Sequence, residues 1–263
     1  MAIYNGSNVQ ALRTAIESVL NQEFIGNVES RLYLAIDGPV SFEINETIKH
    51  LKSRIFTIHR IESNGGLATA LNSLIKLLQD EEFIFRMDAD DFSYLNRYQL
   101  QIDYFKNNPS IDILGTDIIE VDAIDGSRRL VTFCRGPDDA IAKICKRVPI
   151  AHPTACFKRR VFDRVGGYPS IGTNEDVALW FRCLQEGFRF DNVRQPLLEF
   201  SIDSNFWKRR SYKKAISEFM CYIKIVWEMD GFSWKYIFPL TRFFLRISPT
   251  WVSRWAYKSK IRQ

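Results

Sequence analysis

The chain has 263 residues, a net charge of +5 and ordinary apolar and charged fractions. That is enough for one substantial core, as one domain or one domain with an extension, and it excludes wholesale disorder. Five scattered cysteines without a CxxC pair argue against a zinc site or disulfide framework and fit reduced thiols in a cytosolic protein.

Met1 leads almost at once into the polar stretch YNGSN, so no signal peptide is expected. The stretch SNVQALRTAIESVLNQ opens with Ser7 and Gln10 at capping-box spacing, and Val9, Leu12, Ile16, Val19 and Leu20 recur at helical intervals. RLYLAID (31–37) reads as a strand ending in Asp37 and Gly38. Residues 41–52 are weakly helical, RIFTIHRI (54–61) is a second strand, and GLATALNSLIKLLQ (66–79) is an amphipathic helix. EFIFRM (82–87) is a further strand, and it runs into Asp88, Asp90 and Asp91. Carboxylates this close repel one another, so they either fan out into water or hold a cation.

Strands alternating with helices imply βαβ units and a mainly parallel sheet, whose ligands bind beyond the carboxyl ends of the strands. Tyr4–Asn5, Asp37, Asn64–Gly65 and Asp88–Asp91 all fall at such ends. Past residue 110, DILGTDIIEVDA and SRRLVTFCRG read as longer strands with an antiparallel look. Residues 137–147 form a candidate helix. AHPTACFKR passes through an apolar strand, and NEDVALWFRCLQEGF (174–188) is a helix with Glu175 and Asp176 in its first turn. Acids there also suit the helix dipole without any chemistry.

Charge is unevenly spread. Residues 206–263 hold 13 Lys/Arg against 3 Asp/Glu, a net of +10, and five of the six Trp; the remaining 23 basic and 28 acidic residues leave −5 in residues 1–205. WKRRSYKK (207–214), FSWKYIFPLTRFFLRI and WVSRWAYKSKIR mix cations with aromatics. No apolar stretch is long enough to span a bilayer, so a surface-lying amphipathic extension is expected, with a helical extension packed on the body as the alternative.

Taken together, IYNGSNVQALRTAIESVLNQ, LYLAIDG, NGGLATALN, FRMDADD, AHPTACFKRRVFDRVGGYP and EDVALWFR resemble the GT-A glycosyltransferases of family 2 over about 200 residues. HPT…GGY…EDVALWFR is similar to bacterial enzymes that build O-antigen and capsule repeats on a lipid carrier, and the length and tail resemble the β-1,3-galactosyltransferases acting on GlcNAc-diphosphoundecaprenol. Family members usually carry more apolar residues before IYNG, so the first strand is short here or the start codon lies upstream.

The resemblance implies an α/β GT-A fold with a mainly parallel central sheet flanked by helices. It divides the chain into a catalytic domain over 1–205 (a nucleotide-sugar half over 1–110, an acceptor half over 111–205) and a helical basic-aromatic extension over 206–263. It implies inverting transfer of a hexose, galactose first, from a UDP-sugar to a lipid-linked GlcNAc diphosphate, on the cytoplasmic face of the inner membrane and without nucleic acid. UDP-glucose or UDP-GlcNAc in capsule or exopolysaccharide synthesis is the second reading. A metal-dependent nucleotidyltransferase lacks support, because no Gly-rich phosphate loop accompanies the acids, and the intact acidic motifs argue against a non-catalytic membrane adaptor.

Site roles follow from the same resemblance. A divalent cation, Mn²⁺ or Mg²⁺, would be held by Asp90, with Asp88 on the metal, a metal-bound water or the ribose, and Asp91 starting the next helix. Tyr4, Asn5, Asp37, Asn64 and Arg86 would line the nucleotide-sugar site. Asp37 would accept the uracil N–H, while Arg86 would orient the aspartates, approach the diphosphate or form a structural ion pair. Asp176 would be the base, supported by Glu175. His152 would lie near the diphosphate or acceptor, and Trp180 would stack on a sugar or fill the core.

Overall fold

The structure is a computed structural model and describes residues 1–169, 174–202 and 212–248. The first apolar period folds as α1 (Val9–Leu20), which buries Leu12, Ala15, Ile16 and Val19. Its cap is Asn8, whose side chain accepts the Ala11 N–H at 2.9 Å. Asn caps as well as Ser does, and this frees Ser7 to accept the Tyr4 N–H through its hydroxyl at 3.3 Å, folding the YNGS turn.

Three strands, β1 (Ala2–Ile3), β2 (Tyr33–Asp37) and β3 (Thr57–Ile61), pair in parallel in that order. The crossovers are α1 and α2 (Phe42–Leu51), and α3 (Leu67–Ile75) leads away from β3. β2 is buried at every position, which explains its unbroken apolar run. The first strand spans two residues, and the terminal amine of Met1 is buried and donates to Tyr33 O at 2.9 Å.

A second, six-stranded sheet has the order β4-β8-β6-β9-β5, with β7 on β6. Its strands are β4 (Phe83–Phe85), β5 (Phe92–Ser93), β6 (Ile113–Asp122), β7 (Arg128–Val131), β8 (Cys156–Lys158) and β9 (Phe190–Ile202). The pairing of β6 with β7 is antiparallel, as its sequence pattern suggests, whereas β6 and β9 run parallel. Parallel pairing therefore covers the first sheet and the β6–β9 seam, because β8 runs against both β4 and β6. A cavity of about 450 Å³ lies between the sheets, lined by Tyr33, Leu71, Phe83, Phe85 and Tyr98 among others.

Around this sheet lie α4 (Arg97–Asn107), α5 (Pro137–Lys143), α6 (Arg159–Val165) and α7 (Glu175–Gln185). The C-terminal region contributes α8 (Tyr212–Asp230) and α9 (Ile237–Ile247). On α8, Ala215, Glu218, Tyr222, Ile225 and Val226 are buried at helical spacing. Tyr222, Ile225 and Val226 join the core that contains Val177, Leu179, Trp180 and Phe190. Each such apolar side chain contributes about 1.5–3 kcal/mol. The extension is therefore packed on the body along this face. Most of WKRRSYKK and all of WVSRWAYKSKIR lie outside the described residues. Among the described residues, no helix is long and apolar enough to cross a membrane.

Candidate active site

The carboxyl ends of β1, β2 and β3 share one edge of the parallel sheet, and the polar stops Tyr4–Asn5, Asp37 and Asn64–Gly65 follow them there. Asp37 closes β2, and its carboxylate accepts the N–H groups of Gly65 (2.8 Å) and Gly66 (2.9 Å). Asn64 donates to Asp37 O at 3.4 Å. The end of β2 is thus fastened to the loop that opens α3. The close approach requires glycine at position 38, where φ is +81° and a Cβ would sit 2.8 Å from Asn64 N. Tyr4 and Asn5 stand exposed at the end of β1.

Beyond β4 the acids separate into different environments. Arg86 is almost fully buried and forms an ion pair with Asp88. Its Nε and Nη1 have no hydrogen-bond partner, so the guanidinium retains donors for an anion. Asp90 is exposed. Asp91 does not start a helix: α4 begins at Arg97 after Asn96, and Asp91 is buried under the motif, accepting the Ser201 N–H at 3.0 Å. Burial first, then the charges of Asp88 and Asp90, push its carboxyl well above the usual range. Its second oxygen lacks a partner. The ordinary rule that an acid after a strand caps the next helix fails here because β5 intervenes.

Among the described residues, no group of three or more His, Cys, Asp or Glu is arranged to hold a metal. Two carboxylates, Asp88 and Asp90, still fit a hard cation that takes its remaining ligands from a diphosphate and water. The crowding of three carboxylates, with an unsatisfied oxygen on Asp91, marks a place short of positive charge.

The HPT stretch forms a tight turn over His152–Thr154. His152 Nε2 lies 2.9 Å from the Tyr168 hydroxyl. Burial, followed by the charge of Arg86, holds His152 well below the usual histidine range, so its ring is neutral at physiological pH. Tyr168 comes from the GGY stretch. It is clamped by Asn72 of α3, which accepts the Tyr168 N–H at 2.7 Å and donates to Tyr168 O at 2.9 Å. Its hydroxyl is within electrostatic reach of Arg86, Asp88 and Asp176, so it links the two halves of the site.

Glu175 and Asp176 occupy the first turn of α7. Burial, then the charge of Glu175, raise the Asp176 carboxyl to about 6, against the pull of the Val177 N–H. A carboxyl so placed is mostly ionised at neutral pH and still takes up a proton readily. Trp180 has no exposed surface. It stacks on Phe157 with centroids 5.7 Å apart and meets the edge of His152 at 5.9 Å. Its ring is a core aromatic beneath His152 and presents no face to a sugar.

Several residues that sequence reading missed also build the site. Arg97, fully buried, donates to Arg86 O at 2.9 Å and to Gln101 Oε1 at 3.0 Å. Gln101 donates to Thr154 O and Leu114 O, both at 3.0 Å. This chain braces the acidic loop against the HPT turn. Nothing local to Arg97 and Gln101 gave warning of it, because their partners lie at Arg86, Leu114 and Thr154.

The profile of Glycosyl transferase family 2 matches residues 1–166. The chain belongs to this family. It is 29% identical to the UDP-Gal:alpha-D-GlcNAc-diphosphoundecaprenol beta-1,3-galactosyltransferase of Escherichia coli, over 100% of this chain and 95% of that protein. It is 31% identical to the O-antigen biosynthesis glycosyltransferase WbnJ of Escherichia coli, over 79% of each. The amylovoran biosynthesis glycosyltransferase AmsE of Erwinia amylovora is 27% identical, over 98% of this chain and 96% of that protein. Among solved structures, S. aureus TarS 1–349 in complex with UDP-GlcNAc superposes with a TM-score of 0.61 at 14% identity, covering 96% of this chain and 82% of that one. The mannosyltransferase PcManGT of Pyrobaculum calidifontis, in complex with GDP-Man and Mn²⁺, gives 0.61 at 15% identity, covering 97% and 71%. The fold of this glycosyltransferase is GT-A.

Proposed function

We propose that this glycosyltransferase inverts configuration while moving a hexose, galactose in β-1,3 linkage, from UDP to GlcNAc-diphosphoundecaprenol during O-antigen repeat synthesis. The observation that carries this choice is the full-length similarity to the E. coli galactosyltransferase with that donor and acceptor.

The chain's own residues divide the work. Asp37 receives the uracil N–H through a lone pair left over from its glycine contacts, with Tyr4, Asn5 and Asn64 around the nucleoside. Asp88 and Asp90 hold a divalent cation, which, when bound, neutralises charge on the departing diphosphate. Arg86 offers its two free nitrogens to the same phosphates. Neutral His152, held by Tyr168, donates to or accepts from the diphosphate or acceptor without adding charge. The acceptor hydroxyl oxygen attacks the anomeric carbon from the face opposite UDP. Its proton passes to Asp176 as the bond to the diphosphate breaks. Glu175 hydrogen-bonds the acceptor sugar and keeps the Asp176 carboxyl basic.

The helical extension carries the protein to its acceptor. Tyr212, Ile216, Met220 and Trp227 form one exposed stripe on α8, and Phe232 and Trp234 protrude from the turn before α9. An apolar stripe among lysines suits the headgroup layer of an anionic membrane.

The test is purified protein with a panel of UDP-sugars and a synthetic GlcNAc-diphosphate lipid. UDP release that requires both UDP-galactose and this lipid supports the reading. Turnover only with UDP-glucose or UDP-GlcNAc overturns the donor, and no dependence on the lipid overturns the acceptor.

A further inference from the structure

The helix that presents Glu175 and Asp176 is held by the C-terminal helices. α7 and α8 run side by side in the same direction, tied near both ends by contacts with the same sequence offset of 43 residues. Asn174 Nδ2, just before Glu175, donates to Ser217 Oγ at 3.0 Å, and Gln185 Nε2 donates to Glu228 Oε2 at 2.6 Å. Below the acid pair, Glu218 is buried on α8 and forms ion pairs with two arginines of α9, Arg242 (2.9 Å) and Arg246. Arg242 also donates to Lys146 O at 2.7 Å and lies over the Tyr222 ring, 4.6 Å from its centroid. Glu218 is the buried member, while its two arginines remain about one-third exposed. A carboxylate taken out of water is a poor source of net stability compared with apolar packing, so its presence calls for another account.

We propose that Glu218 and Arg242 are positioning residues for Asp176: they brace α8 beside Ser217, which holds the residue preceding α7, and set the balance of charge around the Asp176 carboxylate. This rests on the reading of Asp176 as the base. Among the described residues, the groups that act on or respond to Asp176 are Glu175 on its own helix, Tyr168 from the preceding loop, Glu218, Cys221 and Tyr222 from α8, and Arg242 from α9. Only Arg242 among them is cationic. Its charge favours the ionised base, while Glu218 opposes it and at the same time holds Arg242 in place.

The opposing signs make the proposal testable. The pH profile of kcat/KM is measured for the full chain with donor and acceptor, alongside UDP binding and circular dichroism. Glu218→Gln removes a negative charge and leaves two cations, so the acidic limb moves down by about half a pH unit or more. Arg242→Gln removes the cation, so the limb moves up by a similar amount, and Arg242→Lys returns it towards the wild type. Arg246→Gln, farther out on α9, moves it up by less and decides the matter if the inner variants do not fold. UDP binding stays within about twofold throughout, because the nucleotide half is untouched. If the limb stays at its wild-type position in every folded variant while kcat falls, the cluster is structural and the proposal is wrong. Asp176→Asn separates the two levels: near-normal turnover in that variant removes the base assignment itself, whereas an inactive Asp176→Asn with unmoved limbs removes only the role of the cluster.

Discussion

Asp176 and Asp90 carry opposite demands at the scale of single residues. Asp90 stands exposed where a cation can reach it, so Asp90→Ala should abolish transfer while circular dichroism stays unchanged. Chelation should inactivate the wild type, with Mn²⁺ or Mg²⁺ restoring it. Full activity in excess EDTA would contradict this. Asp176 is held partly out of water, with its carboxyl raised to about 6. A base must be ionised, so kcat/KM should fall as pH drops through about 6. Asp176→Asn should lower kcat by about 10²–10⁴ and leave UDP binding intact. The same raised value works against stability. Between roughly pH 4 and 6 the folded carboxyl keeps a proton that the unfolded chain has released, so stability falls as pH rises through that window and stays reduced above it. Asp176→Asn should therefore stabilise the fold at neutral pH by about 1 kcal/mol, for a carboxyl that is partly exposed, and raise Tm accordingly. An inactive variant that melts below the wild type would mean that the acid is not destabilised by its surroundings.

Individual elements explain why some of the site was legible in the sequence and some was not. Asp37 and Asn64 could be read because the strand ends of a parallel sheet converge on one edge, and Asp88 because an apolar run stops abruptly in acids at the end of β4. Asp91 could not: its neighbour is Ser201, 110 residues away on β9, and no local pattern encodes that contact. Trp180 sat at a helical interval compatible with either a sugar platform or the core, and only packing against Phe157 and Phe190 decides for the core. The clamp of α3 on the GGY turn was equally hidden, since Asn72 and Tyr168 are 96 residues apart. Gly167, at φ +124°, would press a Cβ to 2.4 Å from Asn72 Oδ1, so the turn and the helix have to meet this way. Asn72→Ala strands two backbone groups of Tyr168 and should destabilise the protein by about 1–3 kcal/mol. It should slow transfer more than it weakens UDP binding, because Tyr168 supports His152; a variant with unchanged melting and turnover would show that the clamp is dispensable.

Across the whole molecule, the catalytic sheet and the basic tail are joined through α7 and α8. The charge contrast between the two regions was visible in composition, but the amphipathic pattern of α8 left open which of its faces is buried. The answer is a division of labour within one helix, with Tyr222, Ile225 and Val226 in the core and Tyr212, Ile216, Met220 and Trp227 outside. Deleting the tail would therefore remove core side chains and unfold the acceptor half, so membrane contact is better tested at the surface. Replacing Trp227, Trp234 and Phe244 together by Ser should abolish pelleting with anionic vesicles and keep the wild-type melting temperature. Full-length protein that ignores such vesicles at low salt would make the exposed stripe irrelevant to lipid. The central claim, a single carboxylate base driving inversion between a UDP-sugar and a lipid-linked acceptor, is tested most directly by the anomeric configuration of the product. With the α-configured UDP-sugar the enzyme accepts, one-bond C1–H1 coupling in the isolated lipid-linked disaccharide should report a β linkage; an α linkage would mean retention and would contradict the role given to Asp176.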